Sequence, residues 1–229
     1  MKVLFVITSH DTGAWLSEIT HPYWALAERG VEIDFASPQG GKIVWTPLSD
    51  PFGEGSQEPD DLVSKGFLSD AELAQKLQNT LALADVDLDL YDAVHVAGGQ
   101  GATYDLYPND DVARVLEHFW EQDKIVGAIC HGAIALGNIP GRIRGRSVTG
   151  YSLEGDHALE EFFGPEFLIP NYPQKVLEDV GASYTATEYT QPRVVTDGKL
   201  VTGQNQQSAS EYGVVLLHAL TGHSPVSQS

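Results

Sequence analysis

One cysteine, one methionine and only 13 Lys plus Arg stand among 229 residues, and each scarcity excludes something. A lone cysteine, Cys130, has no intramolecular disulfide partner, so disulfide-stapled scaffolds are out and a reducing cytoplasm is the expected compartment. Thirteen bases against 32 acids give a formal charge of -19, which repels phosphate backbones and anionic lipid. Neither nucleic acid nor a membrane is an expected partner. No apolar run approaches the roughly 20 residues that cross a bilayer. The GxGxxG fingerprint is missing, which removes a dinucleotide-binding reading. There is no internal repeat, and no linker divides the chain. The opening MKVLFVITSHDTG carries a single base before a short apolar run, and reads as a first strand rather than a signal peptide.

What is present suits one α/β domain. Hydrophobic residues at 42% and charged residues at 20% match soluble globular proteins, and the length buries a sizeable core. KVLFVITS (2–9) and VEIDFASP (31–38) are β-branched and aromatic runs, with HPYWALAERG between them as a helix that Gly30 stops. The pattern returns with a strand over 91–99, a helix near Asp110–Gln122 capped by Asn109, and a strand over 124–130 that runs into HGAIALGN. Continuous apolar strands alternating with helices predict a parallel sheet covered on both faces. Residues 39–70 break the rhythm as a long Gly-, Pro- and Asp-rich loop anchored by Trp45, Phe52 and Phe67. Beyond it, SDAELAQKLQNTLAL is expected as a helix opened by a Ser69–Glu72 capping box, RVVTDGKLVTG as a hairpin turning at Asp197–Gly198, and SASEYGVVLLHALTG as a last helix. The domain is placed at 1–223, with 224–229 as a frayed tail.

The most informative stretch is KIVGAICHGAIALG, because a strand ending at a nucleophile, framed by small residues and followed by a helix, is the recipe for a nucleophile elbow. Cys130 would sit strained at the strand end above amides that favour thiolate. His131 can donate its backbone N–H to an oxyanion and offer its ring as base. The glycine loop VAGGQGATYDL follows another strand, and Gly99 is the candidate second oxyanion donor. Glu18 follows the first strand, so it falls at the same sheet edge, where burial and a nearby thiolate raise a carboxyl toward proton-transfer range. Downstream, Glu154, Asp156 and His157 offer an acid to hold His131 in one tautomer. Each residue also has a blander role: Cys130 in the core, Glu18 on a solvated helix face. Glu18 and His21 form an E-x-x-H pair, but a di-metal site wants a second copy and the sequence has none, so no metal is expected. Arg142, Arg144 and Arg146 form the one basic cluster and are read as balancing local carboxylates.

With these pieces assembled, the chain resembles the ThiJ/PfpI superfamily, the cysteine-dependent group related in fold to class I glutamine amidotransferases. The resemblance rests on TGAWLSEITHPYWAL, VEIDFASPQGG, WTPLSDP, LQNTLAL, DVDLDLYDAVHVAGGQGATYDL, VGAICHG, VTGYSLEGD and DGKLVTGQN, in order along most of the chain. It is similar to the branch of heat-shock-type chaperones with glutathione-independent glyoxalase activity. The resemblance implies a flavodoxin-like three-layer sandwich with a mostly parallel sheet, Cys130 as nucleophile, Glu18 as proton-transferring carboxylate, His131 and Asp156 completing the triad, and Gly99 with His131 as the oxyanion hole. It implies conversion of methylglyoxal or a related α-oxoaldehyde to a 2-hydroxy acid through a Cys130 hemithioacetal, with no cofactor, in a homodimer. Gln100 stands where the branch commonly has His, Ala133 replaces the Pro usual after CHG, and Gln206 follows Asn205 where Pro is typical. A cysteine-dependent amide or ester hydrolase is a second reading, and a redox-sensing or holdase protein, built on an accessible low-pKa thiol, comes from another class. Glutaminase-type amide transfer ranks last.

Overall fold

A computed structural model describes residues 1–164 and 167–222. The strands are β1 (Lys2–Val6), β2 (Glu32–Ser37), β3 (Leu81–Ala82), β4 (Ala93–Val96), β5 (Ile125–Ile129), β6 (Ser147–Val148), β7 (Ser183–Tyr184), β8 (Val194–Asp197) and β9 (Leu200–Gly203). The helices are α1 (Ser17–Ala27), α2 (Leu62–Ser69), α3 (Ala71–Lys76), α4 (Ala102–Asp105), α5 (Asp110–Glu121), α6 (Pro140–Ile143), α7 (Leu153–Phe163), α8 (Pro173–Asp179) and α9 (Ala209–Thr221). Seven strands form one sheet in the order β3-β2-β1-β4-β5-β9-β8, parallel except for β8 against β9; β6 and β7 pair separately.

Alternation along β1 shows why the sheet is covered twice. Val3, Phe5 and Ile7 enter one core with Ile19, Tyr23, Leu26, Tyr212 and Leu216 from α1 and α9. Leu4 and Val6 face the other way, into a core with Val112, Val115, Leu116 and Phe119 of α5. Successive strand side chains point to opposite faces, so a run apolar at every position needs helices on both. The expected three-layer sandwich is the observed one.

Local expectations fare unevenly. Asn109 caps α5 as expected, accepting the Val112 N–H at 3.0 Å. The single helix expected from Ser69 is instead the end of α2, the short helix α3 and a strand: Asp70, not Ser69, caps α3 by accepting from Glu72 and Leu73, and Leu81–Ala82 adds β3 at the sheet edge. Aspartate wins because its carboxylate takes both amide hydrogens at once. The hairpin turn is one residue further on, at Gly198–Lys199, since Asp197 still pairs with Leu200. Within the 39–70 region Phe67 is a core anchor, whereas Phe52 is 63% exposed and anchors nothing. The segment after the elbow, Cys130–Asn138, is wound as 3₁₀ turns rather than as an α-helix. The expected frayed tail, 224–229, lies outside the described residues.

A buried histidine ties the layers together where the site will form. His95, on the central strand β4, is wholly buried, and burial pushes it down to about 4. Its Nε2–H donates to the Glu18 carbonyl at 2.9 Å, so its Nδ1 must accept from the Tyr212 hydroxyl at 2.8 Å. The Tyr212 hydroxyl occupies the space that a Cβ on Gly127 would need. Gly127 is therefore small for the sake of α9, not of the elbow.

Candidate functional site

Strand order reverses between β1 and β4, the switch point at which open α/β sheets carry their ligand crevice. The residues following β1, β4 and β5 meet there. β5 ends at Ile129, and Cys130 takes φ 57°, a left-handed conformation costing a non-glycine about 1–2 kcal/mol. Its surroundings hold it in place. The Tyr151 N–H donates to the Cys130 carbonyl at 3.1 Å, and a Cβ on Gly132 would lie 2.5 Å from the Ala97 carbonyl oxygen.

Two groups flank the thiol. The His131 ring stacks on Tyr151 with centroids 4.3 Å apart; its Nε2–H donates to Asp156 Oδ1 at 2.8 Å, which leaves Nδ1 as an acceptor facing Cys130 Sγ at 3.4 Å. Ser152 caps α7 by accepting from Gly155, and so places Asp156 in the first turn with its side chain buried. Glu154 and His157, the neighbouring candidates, are exposed. Of the acids named from sequence, Asp156 is the one brought to His131.

On the other side lies Glu18, in the first turn of α1 and fully buried. Its Oε2 accepts the Gly98 N–H at 3.0 Å, while Oε1 has no hydrogen-bond partner among the described residues. A Cβ on Gly98 would sit 2.6 Å from Glu18 Oε2 and 2.9 Å from Cys130 Cβ, so a bare glycine is the spacer across which carboxyl meets thiol. Burial pushes Glu18 well above the usual carboxylate range; the Cys130 thiol beside it and the Gly98 N–H pull the other way, and the charge of Glu58 adds to the rise. Burial likewise pushes the Cys130 thiol up, with Glu18 adding, against the backbone N–H groups of His131 and Gly99 that face the sulfur. The expected lowering of the thiol by helix amides is thus outweighed: Cys130 is 2% exposed, beside a carboxyl, and no full α-helix follows it. Thiol and carboxyl form a pair that resists carrying two negative charges.

Glu58 is not marked in the sequence. It comes from the loop before α2, accepts from Trp15 Nε1 at 3.0 Å and Ser17 Oγ at 3.1 Å, and is pushed up to about 7 by burial. Nothing in PFGEGSQEPDD singles out one acid among several; only the fold selects it. Its charge bears on the pair at Cys130, which gives a prediction. Glu58→Gln keeps an oxygen to accept from Trp15 and turns an N–H toward the Ser17 hydroxyl while removing the charge, so the first step in a plot of Cys130 alkylation rate against pH moves to lower pH. Iodoacetamide labelling across pH 5–9, read by intact mass, checks this; coincident wild-type and variant curves reject it.

The remaining candidates lie elsewhere. His21 turns away from Glu18, meeting Asp61 at 3.0 Å and Ser210 at 2.7 Å, so the E-x-x-H pair points in two directions. Arg142 pairs with Glu117 and Glu121, and Arg146 with Asp197, the balancing role expected of them, whereas Arg144 makes no ion pair among the described residues. Above the thiol opens a cavity of about 60 Å³. Cys130 and His131 form its floor, Trp15, Leu48, Tyr151, Leu159, Phe163 and Phe167 its apolar walls, and Thr46, Gln57, Gln100 and Gln206 its polar ones. Gln100 and Gln206 thus face the pocket, whereas Ala133 is buried behind it, 2.7 Å from where a Cβ on Gly150 would stand.

Glutathione-independent glyoxalase HSP31 of Saccharomyces cerevisiae is 27% identical, over 96% of this chain and 98% of its own. The structure of Rapid Encystment Protein 24 kDa from Francisella tularensis matches with TM-score 0.85 at 32% identity, over 96% of this chain and 98% of that one. Glyoxalase III from Candida albicans matches with TM-score 0.80 at 26% identity, over 96% and 97%. The model of the DJ-1/PfpI family matches residues 1–219, and the chain belongs to that family.

Proposed function

We propose that this protein is a glutathione-independent glyoxalase that converts a small α-oxoaldehyde such as methylglyoxal to its 2-hydroxy acid. The observation that carries the reading is Cys130 held between the His131–Asp156 pair and the buried, partnerless carboxyl oxygen of Glu18. The names of the yeast and Candida relatives support it.

The chemistry follows from the placement. His131 Nδ1 takes the thiol proton, and Sγ adds to the aldehyde carbon to give a hemithioacetal whose oxygen meets the Gly99 and His131 N–H groups. Glu18, which burial keeps protonated, first gives its proton to that oxygen. As a carboxylate it then removes the proton from the carbon and returns it to the adjacent ketone carbon, while the His131 imidazolium protonates the ketone oxygen and the hydroxyl proton of the first carbon goes back to Glu18. The first carbon is thereby oxidised to a thioester and the second reduced to an alcohol, so no external electron acceptor takes part. Water, deprotonated by His131, cleaves the thioester and returns the thiol with the 2-hydroxy acid. Asp156 holds the imidazole in the tautomer that both steps need.

The alternatives fit less well. Cys130 at 2% exposure weighs against a sensor thiol that oxidises freely. Among the described residues the pocket walls carry no formal charge, which weighs against a zwitterionic glutamine substrate. Purified protein incubated with methylglyoxal without glutathione should form lactate, and Cys130→Ser should lower turnover by about 10³-fold or more. Full activity in Cys130→Ser overturns the reading. We extend it to a homodimer, as the family resemblance implies; light scattering should give twice the 24.8 kDa chain mass.

A further inference from the structure

The apolar wall over Cys130 points beyond a generic α-oxoaldehyde. Leu159 and Phe163 come from α7, and Phe163 stacks on Phe167 with ring centroids 4.9 Å apart. Phe167 belongs to a segment anchored from the opposite side of the pocket. Gln100 Nε2 and the Tyr104 hydroxyl both donate to the Leu168 carbonyl at 2.8 Å, and Asn171 Nδ2 donates to the Thr103 carbonyl at 3.1 Å. Gln100 therefore acts by holding the phenylalanine wall in place, not by transferring protons: its amide has no titratable group, and its N–H is already engaged with Leu168. Trp15 lines the same cavity, its indole held by Glu58.

We propose that this wall selects α-oxoaldehydes with a hydrophobic substituent, aryl or branched alkyl, over glyoxal and methylglyoxal, with Phe163 as the specificity-determining contact and Gln100 as the residue that positions the wall. The inference rests on the glyoxalase reading above. Its physical basis is that glyoxal has nothing to bury against Leu159, Phe163 and Trp15, whereas a phenyl or isobutyl group, too large for a cavity of about 60 Å³ to enclose, removes apolar area from water by lying along these side chains. Among the described residues the same walls offer no cation to bind a carboxylated or phosphorylated substituent.

The test is kcat/KM for glyoxal, methylglyoxal and phenylglyoxal, with phenylglyoxal kept at concentrations that leave arginines unmodified. The wild type should rise along that series, chiefly through KM. Phe163→Ala should lose about tenfold for phenylglyoxal and less than about twofold for glyoxal, and Gln100→Ala with Tyr104→Phe should reproduce the pattern. Phe163 is 38% exposed and belongs to neither core cluster, so its variant should keep the wild-type melting temperature. A flat or reversed series, or a Phe163→Ala loss equal for all three substrates, overturns the inference while leaving the glyoxalase reading intact. Absence of turnover for every compound rejects that reading instead. The wall is then read from protection of Cys130 against iodoacetamide: phenylglyoxal protecting at lower concentration than glyoxal supports it, and equal protection rejects it.

Discussion

Glu18→Gln should abolish turnover and at the same time make the protein harder to unfold at neutral pH. The activity loss follows from the chemistry: a carboxamide cannot shuttle a proton between adjacent carbons, so kcat should drop by about 10³-fold or more while Cys130 still forms the hemithioacetal. The stability gain follows from the environment. Glu18 is fully buried and its folded-state affinity for a proton is raised by that burial, so in the unfolded chain it ionises near the ordinary carboxylate value while in the native state it holds its proton to much higher pH. Where the native state binds more protons than the unfolded one, stability falls as pH rises, from the unfolded value up to the folded one. Neutral pH lies above the unfolded value, where that stability is already being lost. Glutamine keeps an oxygen to accept the Gly98 N–H and carries no ionisation to lose. The gain should be about 1 kcal/mol or more, and at about 2–4 °C per kcal/mol for a chain of this size it is visible in a thermal melt. The control is pH: the difference between Glu18→Gln and wild type should shrink as pH falls below the usual carboxylate range. A variant less stable than wild type at pH 7 and equally so at pH 4 would show that Glu18 is a structural group and not a strained functional one.

The opposition of stability and activity at this residue also bears on which parts of the molecule are legible in the sequence. The two-faced sheet shows in runs such as VLFVI, because a strand apolar at every position must be buried on both faces. The elbow shows in GAICHG, because small residues around a cysteine at a strand end mark a tight turn. Asp156 is a harder case: Glu154 and His157 are equally near in sequence, and only the Ser152 cap and the rotation of α7 bring one of them to His131. Glu58 is harder still, since its role depends on a loop crossing back over α1. The protonation of the thiol is hidden, because sequence shows the amides that favour thiolate but not the burial that opposes it. Gly127 reads as room for a sharp turn, when its reason is the Tyr212 hydroxyl arriving from the other end of the chain.

Gly99 brings both kinds of reason together, and Gly99→Ala should be the most disruptive single methyl added at the site. Its φ of 100° already lies where L residues are strained, as at Gly30, with φ 75°. The two differ in what a Cβ would meet. At Gly30 nothing lies within 4 Å, so Gly30→Ala costs only the conformational strain, about 1 kcal/mol. At Gly99 the new atom would fall 2.6 Å from Ala14 Cα and closer still to the Trp15 amide nitrogen, both backbone atoms of the segment leading into α1. Backbone cannot swing aside as a side-chain end can, so either the glycine loop or the Ala14–Trp15 crossing must move. Trp15 N–H donates to the Gly98 carbonyl at 3.1 Å, and Gly98 N–H holds Glu18, so any such shift carries Trp15, Glu18 and the Gly99 N–H away from the sulfur together. Urea unfolding should show a loss of about 3 kcal/mol or more for Gly99→Ala against about 1 kcal/mol for Gly30→Ala. Turnover should fall by at least about 10²-fold in the first and stay near wild type in the second, the magnitude expected when an oxyanion donor is displaced. Equal effects from the two substitutions would mean that the loop tolerates the methyl, and that the Gly99 N–H is not held against the sulfur by the Ala14–Trp15 crossing.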